Sequence, residues 1–224
     1  MGQKYYAVRK GRQIGVFTAW GGPGGAQAQV KGFKGAEFKG FQTRDEAEAF
    51  VRGKPYDASI TAIPMEADTI VVYTDGGAIG NPGPGAYGAV IFEPGAEPRE
   101  LTRGFRRTTN NRMELMGCIA ALESLEASAR ILLHSDSKYL VDAVNRGWAR
   151  SWRHRGWRKS DGQAALNVDL WERLLVLLDA RDVTLDWVKG HAGNAGNERC
   201  DQMVHETLAQ GALGVDQAYE DRSD

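Results

Sequence analysis

Apolar and aromatic positions come in short runs at the start of the chain. KYYAVR (4–9), IGVFT (14–18) and EFKGF (37–41) are rich in aromatic and β-branched residues and predict short strands. Between the last two, WGGPGGAQAQV (20–30) reads as a glycine-rich loop running into a short helix near Ala26–Val30. TRDEAEAFVR (43–52) opens with Thr43 and has Glu46 three places on, the capping box of a helix start. KPYDASITAIPMEAD (54–68) carries two prolines and no period, and reads as a linker.

From residue 69 the runs lengthen. TIVVYTDGG (69–77) predicts a buried strand, and YGAVIFEP (87–94) and RELTRGFRRT (99–108) the next two, joined through PGAEP. Leu115, Cys118, Ile119, Leu122 and Leu125 fall at helical spacing within 112–128. ARILLHSD (129–136) predicts a strand and SKYLVDAVNRG (137–147) a helix. Leu170, Leu174, Leu177 and Leu178 mark an amphipathic helix over 167–180. VTLDWVKG (183–190) is a fifth strand and 195–210 a last helix. The order βββαβααβα predicts an α/β fold, a five-stranded mixed sheet flanked by helices, behind a small N-terminal α/β domain. The expected divisions are 1–53, a linker 54–68, a body 69–210, and an acidic, mobile tail 211–224.

Composition narrows the class. At 42% hydrophobic and 25% charged residues the chain is expected to be globular with a real core. No apolar run is long enough to span a bilayer, and MGQKYYAVRKGRQIGVF lacks the features of a secretory signal. Cys118 and Cys200 are too few for a disulfide framework and are expected to be reduced thiols, so the expectation is a cytoplasmic, monomeric protein with no membrane contact. The net charge of −1 hides an asymmetry: residues 1–54 hold ten Lys/Arg against four acids, a net +6, which leaves −7 for the remainder. A basic head suggests a polyanionic partner; charge alone is equally compatible with a solvated basic face.

Four acids sit where strands end or helices begin: Asp75 in YTDGG, Glu114 in TTNNRMEL, Asp136 in LLHSDSKYL and Asp201 in NERCDQM. Carboxylates at strand ends of an α/β sheet can converge on one edge. Their mutual repulsion is relieved by a hard dication, and two such ions ~3.5–4 Å apart clamp both oxygens of an in-line phosphoryl displacement. Taken singly, each acid is as readily a helix cap or a partner of a helix dipole.

Together with their flanks, these acids resemble the ribonuclease H family. TDGGAIGNPGPGAYG (74–88), TTNNRMELMG (108–117), HSDSKYL (134–140) and VKGHAGNAGNERCDQM (188–203) match its signature segments in order, with spacings of 39, 22 and 65 residues between the acids. The resemblance runs from about Thr69 to Ala209. It implies a ribonuclease H-like fold and an endonuclease that hydrolyses the RNA strand of RNA–DNA hybrids with two Mg²⁺ ions (Mn²⁺ being an alternative), leaving 3′-hydroxyl and 5′-phosphate ends. It implies Asp75, Glu114, Asp136 and Asp201 as metal-binding and catalytic carboxylates, and His191 as the residue assisting water attack or product departure. Two other readings use the same acids: a binding protein that keeps the fold without catalysis, and another metal nuclease such as an integrase or junction resolvase. The full set of four acids argues against the first, and TTNNRMEL with the Trp-rich basic block against the second.

That block, NRGWARSWRHRGWRKS (145–160), holds six Lys/Arg, three Trp and no acid. Cations pair with phosphates and indoles offer flat faces to sugars or bases, although the three Trp would equally suit a helical core. By resemblance it is the family's basic protrusion, with Trp148 and Trp152 along the DNA-binding channel and Trp157 partly structural. Arg107, Thr109 and Asn167 match a DNA-phosphate pocket, and Asn81, Asn110 and Asn111 match minor-groove contacts. Lys138 stands where the family often has Gln and would sooner meet a phosphate. Residues 4–52 resemble the family's hybrid-binding domain, which implies Tyr6, Trp20 and Phe38 as its aromatic contacts and Lys39 on a phosphate, with Phe17, Phe33, Phe41 and Phe50 left to fill the core. Gly40 replaces a second lysine, and the loop after Trp20 is longer and richer in glycine than is usual.

Overall fold

The computed structural model describes residues 4–41, 44–51, 68–190 and 194–221. The chain divides into two compact units, Met1–Ser59 and Ile60–Asp224. The expected linker lies outside the described residues apart from Asp68, as does the capping Thr43.

The first unit is a three-stranded antiparallel sheet in the order β2-β1-β3, from β1 (Tyr5–Lys10), β2 (Gly15–Phe17) and β3 (Glu37–Phe41). Helices α1 (Ala26–Val30) and α2 (Arg44–Val51) pack on it. Its core is small: Val8, Ala26 and Val30, with Tyr6, Phe17, Trp20 and Ala36 against them. The expected division of labour among the aromatics is therefore partly corrected. Phe33 is 37% exposed, while Trp20 packs into the core cluster because the core has too few large side chains of its own.

The second unit is built on a five-stranded sheet in the order β6-β5-β4-β7-β8. Strands β4 (Thr69–Ala78), β5 (Gly83–Phe92) and β6 (Arg99–Thr108) pair antiparallel. β7 (Arg130–Ser135) and β8 (Asp182–Trp187) continue from β4 in parallel. Near-continuous apolar runs suit strands covered on both faces. Gly76 faces the backbone of α3 (Asn110–Glu123), while its neighbour Gly77 faces Val204 of α7 (Ala195–Gln210), so these helices cover opposite faces. On the α3 side, Leu115, Ile119 and Leu122 meet Val72, Ile91 and Leu133 in one core with Leu140 of α4 (Lys138–Asn145) and Trp171 and Leu174 of α6 (Val168–Asp179). Both cysteines are buried, and burial pushes the Cys118 thiol up to about 12, so it stays protonated. Among the described residues no helix is long and apolar enough to cross a membrane.

Two expectations change. The basic block contains a separate helix, α5 (Trp148–His154), entered through Gly147 at φ 70°, where a side chain would be strained. This helix turns Trp152 inward: it is 7% exposed, with ring centroids 6.2 Å from Tyr139 and 5.8 Å from Trp171. Trp152 is a core residue, not a platform for nucleic acid.

The tail from Gly211 is not loose either, at least to Asp221. Gly214 bridges Phe105 in parallel; its N–H donates to Gly104 O and its carbonyl accepts from Arg106 N, each at 2.9 Å. Asp216, 2% exposed, takes Arg112 Nε on Oδ2 at 2.6 Å and Arg112 Nη2 on Oδ1 at 2.8 Å, and accepts from Thr108 Oγ1 at 2.7 Å. Arg112, 1% exposed, also forks onto Asp169 of α6 at 3.1 and 2.8 Å. Burial opposes the guanidinium's charge, but the hydrogen bonds it donates to Asp216 and Asp169 outweigh this and hold the arginine more firmly protonated than usual. A short helix, α8 (Gln217–Glu220), follows, and Glu220 pairs with exposed Arg106 at 2.7 Å. The tail is ordered because a buried arginine needs its acid.

Asp216→Ala should therefore destabilise the protein by about 3–5 kcal/mol, because it leaves Arg112 buried and half-paired. Glu220→Gln, which breaks a surface pair, should leave stability near wild type. Urea unfolding of the two variants checks this, and a small loss in both would show that the tail does not clamp the helix.

Candidate active site

Parallel pairing of β4 and β7 sets the site. Thr74 lies opposite Ser135, so the next residues, Asp75 and Asp136, emerge side by side at the same end of the sheet. Glu114 comes from the first turns of α3, which Thr109 caps by accepting from Arg112 N. The helix can approach because Gly76 has no side chain: a Cβ there would collide with the backbone of Met113 and Glu114. Asn110 Oδ1 accepts from Ala78 N at 2.7 Å, and Asn81 Oδ1 from Asn110 N at 3.2 Å, which ties the β4–β5 turn to the helix start.

One carboxylate oxygen from each of Asp75, Glu114 and Asp136 lies within 4.8 Å of the other two. They line a cleft of about 350 Å³ with Asp201 and His205 of α7, which pair at 3.3 Å. Asp201 borders the cleft without joining the tight group of three. Asp75 Oδ1 accepts from Gly76 N at 2.7 Å. Burial, then the charges of Asp136 and Asp201, push the Asp75 carboxyl up to about 7. Burial, then Asp75 and Asp136, drive Glu114 well above the usual carboxylate range. Glu114 Oε2 is buried with no hydrogen-bond partner among the described residues. A hard dication fits this donor set: it answers the repulsion, takes oxygen ligands and satisfies the orphaned oxygen.

The other expected residues are placed as follows. His191 lies outside the described residues. Arg107, Asn81, Asn110 and Asn111 are exposed, and Thr109 is half-buried at its cap. Asn167, half-buried and left-handed at φ 57°, precedes α6 without using its side chain as a cap. The Arg112–Asp169 fork joins the start of α6 to the start of α3, which brings Asn167 and Thr109 to neighbouring helix N-termini, a setting that favours an anion. Lys138 is exposed, its Nζ 5.9 Å from the centre of the Trp187 ring, and Trp148 is 40% exposed with the Arg146 guanidinium 5.3 Å from its ring centre. In the first unit Trp20 lies between Tyr6 and Phe38, with centroids 5.4 and 5.3 Å away; Phe38 is 46% exposed and Lys39 is exposed.

Sequence reasoning missed the supports of Asp136. Trp187 Nε1 donates to its carbonyl at 3.1 Å and the buried amide of Asn197 donates to its Oδ2 at 3.4 Å. It also missed Arg112, although the signal was present: Arg112 shares a helical face with Leu115, Ile119 and Leu122, where an arginine has to find a buried acid.

A mixed sheet that gathers acids at the ends of its central strands, fit for a hard dication beside exposed cations and amides, defines a metal-dependent enzyme acting on nucleic acid. Comparison with known proteins makes this specific. The family model described as RNase H matches residues 67–209, and that described as Ribonuclease H1 N-terminal domain matches residues 4–51. A ribonuclease H of Syntrophus aciditrophicus is 44% identical, over 77% of this chain and 99% of that protein. One of Desulforamulus reducens is 50% identical, over 66% of this chain and 92% of that protein. The crystal structure of LC9-RNase H1, a type 1 RNase H with the type 2 active-site motif, superposes with a TM-score of 0.56 at 29% identity, covering 71% of this chain and 83% of that one. The chain belongs to the ribonuclease H family, endoribonucleases acting on RNA–DNA hybrids, and carries that family's N-terminal hybrid-binding domain.

The raised carboxyl of Asp75 has a consequence for the metal-free protein. Its folded value of about 7 lies above the ordinary 3.8, so from about pH 4 to 7 the folded state keeps a proton that the unfolded chain has lost. Stability from this group is present at low pH and falls as pH rises through that window. Asp75→Asn should be more stable than wild type without metal, by a margin that grows to ~1–3 kcal/mol near neutral pH. Urea unfolding in EDTA at several pH values measures the margin; a margin independent of pH would show that Asp75 is ionised throughout.

Proposed function

We propose that the chain hydrolyses the RNA strand of RNA–DNA hybrids by a two-metal-ion mechanism that leaves 3′-hydroxyl and 5′-phosphate ends. The observation that carries this reading is the convergence of Asp75, Glu114 and Asp136 around a buried carboxylate oxygen that has no hydrogen-bond partner among the described residues. Two divalent cations, Mg²⁺ with Mn²⁺ as an alternative, would supply positive charge against the charge developing on the phosphoryl oxygens. Asp75, Glu114 and Asp136 would hold them, with Asp201 at the rim. Water attacks phosphorus and gives up a proton as the bond to the 3′-oxygen breaks, and that oxygen takes up a proton as it leaves. His191 is the group that exchanges these protons, because imidazole titrates near neutral pH.

Arg107, Thr109 and Asn167 take a DNA phosphate at the two adjoining helix starts. Asn81, Asn110 and Asn111 read the minor groove, where amides both donate to and accept from 2′-hydroxyls. Lys138 and Trp148 extend this surface. Residues 1–53 bind hybrid through Trp20, Phe38 and Lys39, with Tyr6 packed behind Trp20; 54–68 link them to the catalytic body that begins at residue 69. The protein acts as a monomer in the cytoplasm, a reading supported by a carboxylate set complete within one chain and by two buried thiols.

Cleavage assays on hybrid, duplex DNA and duplex RNA test the assignment, and equal cutting of all three would sink it. Asp75→Asn should abolish hybrid cleavage at saturating Mg²⁺, and His191→Ala should slow it by ~10²–10⁴-fold while leaving measurable turnover.

In the head, Phe38→Ala is a cleaner probe than Trp20→Ala, because Trp20 is also part of the small core. Loss of the exposed ring should weaken binding of a long hybrid by ~1–3 kcal/mol and reduce the cuts made per encounter. Wild-type binding by the folded variant would mean that Phe38 does not contact the substrate.

A further inference from the structure

The block 145–160 contains no acid, yet the fold gives two of its arginines one shared carboxylate. Asp179, the last residue of α6, accepts on Oδ1 from Arg150 Nε and Nη2 at 3.2 and 2.8 Å. Its Oδ2 accepts from Arg153 Nη2 at 2.9 Å. The partners are 29 and 26 residues away, so tertiary packing alone creates this group. Two guanidinium groups sharing the oxygens of one anion is also how arginines hold a nucleic-acid phosphate.

Three features distinguish this contact from a structural brace. The side chains of Arg150, Arg153 and Asp179 are 44%, 32% and 42% exposed, so water and competing anions reach all three. Pairs at such exposure add little to stability. Asp179 also stands in the last turn of α6, where the helix dipole disfavours an acid, so the helix itself gives no reason for it. The bonds from Arg153 and Arg150 are what hold its carboxyl below the usual range. Other arginines of the block are engaged differently: Arg146 pairs with Asp142 one turn back on α4, and Arg155 and Arg158 donate to backbone carbonyls.

We propose that Asp179 stands in for a phosphate of the hybrid's DNA strand, holding Arg150 and Arg153 together in the free protein and releasing them when nucleic acid binds. This rests on the reading of the chain as a hybrid-cutting enzyme whose α5 faces substrate. Asp179 then keeps two guanidinium groups converged and solvated on one spot, which lowers the ordering needed on binding. It also weakens binding, because the displaced carboxylate stays beside the incoming phosphate.

The test is the Kd of a short RNA–DNA hybrid in EDTA, measured by fluorescence anisotropy over a range of salt concentrations. Asp179→Asn should bind roughly three- to tenfold tighter at low salt, the gain shrinking as salt rises. Its plot of log K against log salt should steepen by up to about one. In an Arg150→Ala/Arg153→Ala background the same substitution should change neither quantity. A gain that persists in that background would reduce Asp179 to one more surface charge and overturn the proposal. Unchanged or weaker binding by Asp179→Asn would make the contact a brace and overturn it as well; Asp179→Ala, with circular dichroism of each variant, separates this from misfolding. A gain on duplex DNA without one on hybrid would overturn the assignment of the phosphate. Failure of the functional reading appears elsewhere, as a wild-type protein that does not cut hybrid in Mg²⁺.

Discussion

Three half-buried carboxylates held within 4.8 Å of one another, with one oxygen of Glu114 out of reach of water, are the constraint around which the body is built. Like charges at that distance in a poorly solvated cleft oppose folding, and the carboxyls of Asp75 and Glu114 are both raised by burial and by the neighbouring acids. The surrounding structure has to supply rigidity against that strain. It does so with the parallel β4–β7 pairing, the close approach of α3 over Gly76, and the bonds from Trp187 and Asn197 to Asp136. None of these contacts is itself chemical, yet each fixes where a carboxylate stands.

The tail extends the same logic. Arg112 lies two residues before Glu114 on α3 and is buried, so its acids decide how the helix sits. One acid, Asp169, begins α6; the other, Asp216, arrives from the C-terminal segment, which also adds backbone bonds to β6. A buried ion pair of this kind is poor as a source of net stability but costly to break, which makes it a specifier of arrangement. The catalytic fold therefore runs past the last long helix, to at least Asp221.

Arginines of this chain differ in fate according to burial and partner. Arg112 is sealed between acids, Arg150 and Arg153 share an exposed acid that solvent can reach, and Arg107 is left on the surface near two helix starts. The first serves architecture; the others are open to solvent. In the head the same competition falls on the aromatics. Among the described residues the buried side chains of the head are only alanines and valines (Ala7, Val8, Ala26, Val30 and Ala47), so Trp20 has to serve the core as well as the surface, while Phe38 is released to solvent.

Much was legible in the sequence because it was local or periodic. The strand runs and the helical spacing of Leu115, Ile119 and Leu122 determined the five-stranded sheet and the element order apart from α5 and α8, and the acids of TDGG, NNRMEL, HSDS and NERCD marked four candidate carboxylates, three of which the fold groups. Period alone could not say which face a residue takes when a short helix interrupts a basic stretch, so Trp152 looked like a substrate contact until α5 turned it into the core. Nor could it match charges far apart in the chain: Arg112 to Asp216 spans 104 residues and Arg150 to Asp179 spans 29. The tail carried an acidic composition that suggests mobility, and only the packed structure shows the buried guanidinium that draws Asp216 in. Sequence determines which chemical groups exist and their local geometry; tertiary structure decides which charges meet, because burial makes an unpaired charge too costly to leave alone.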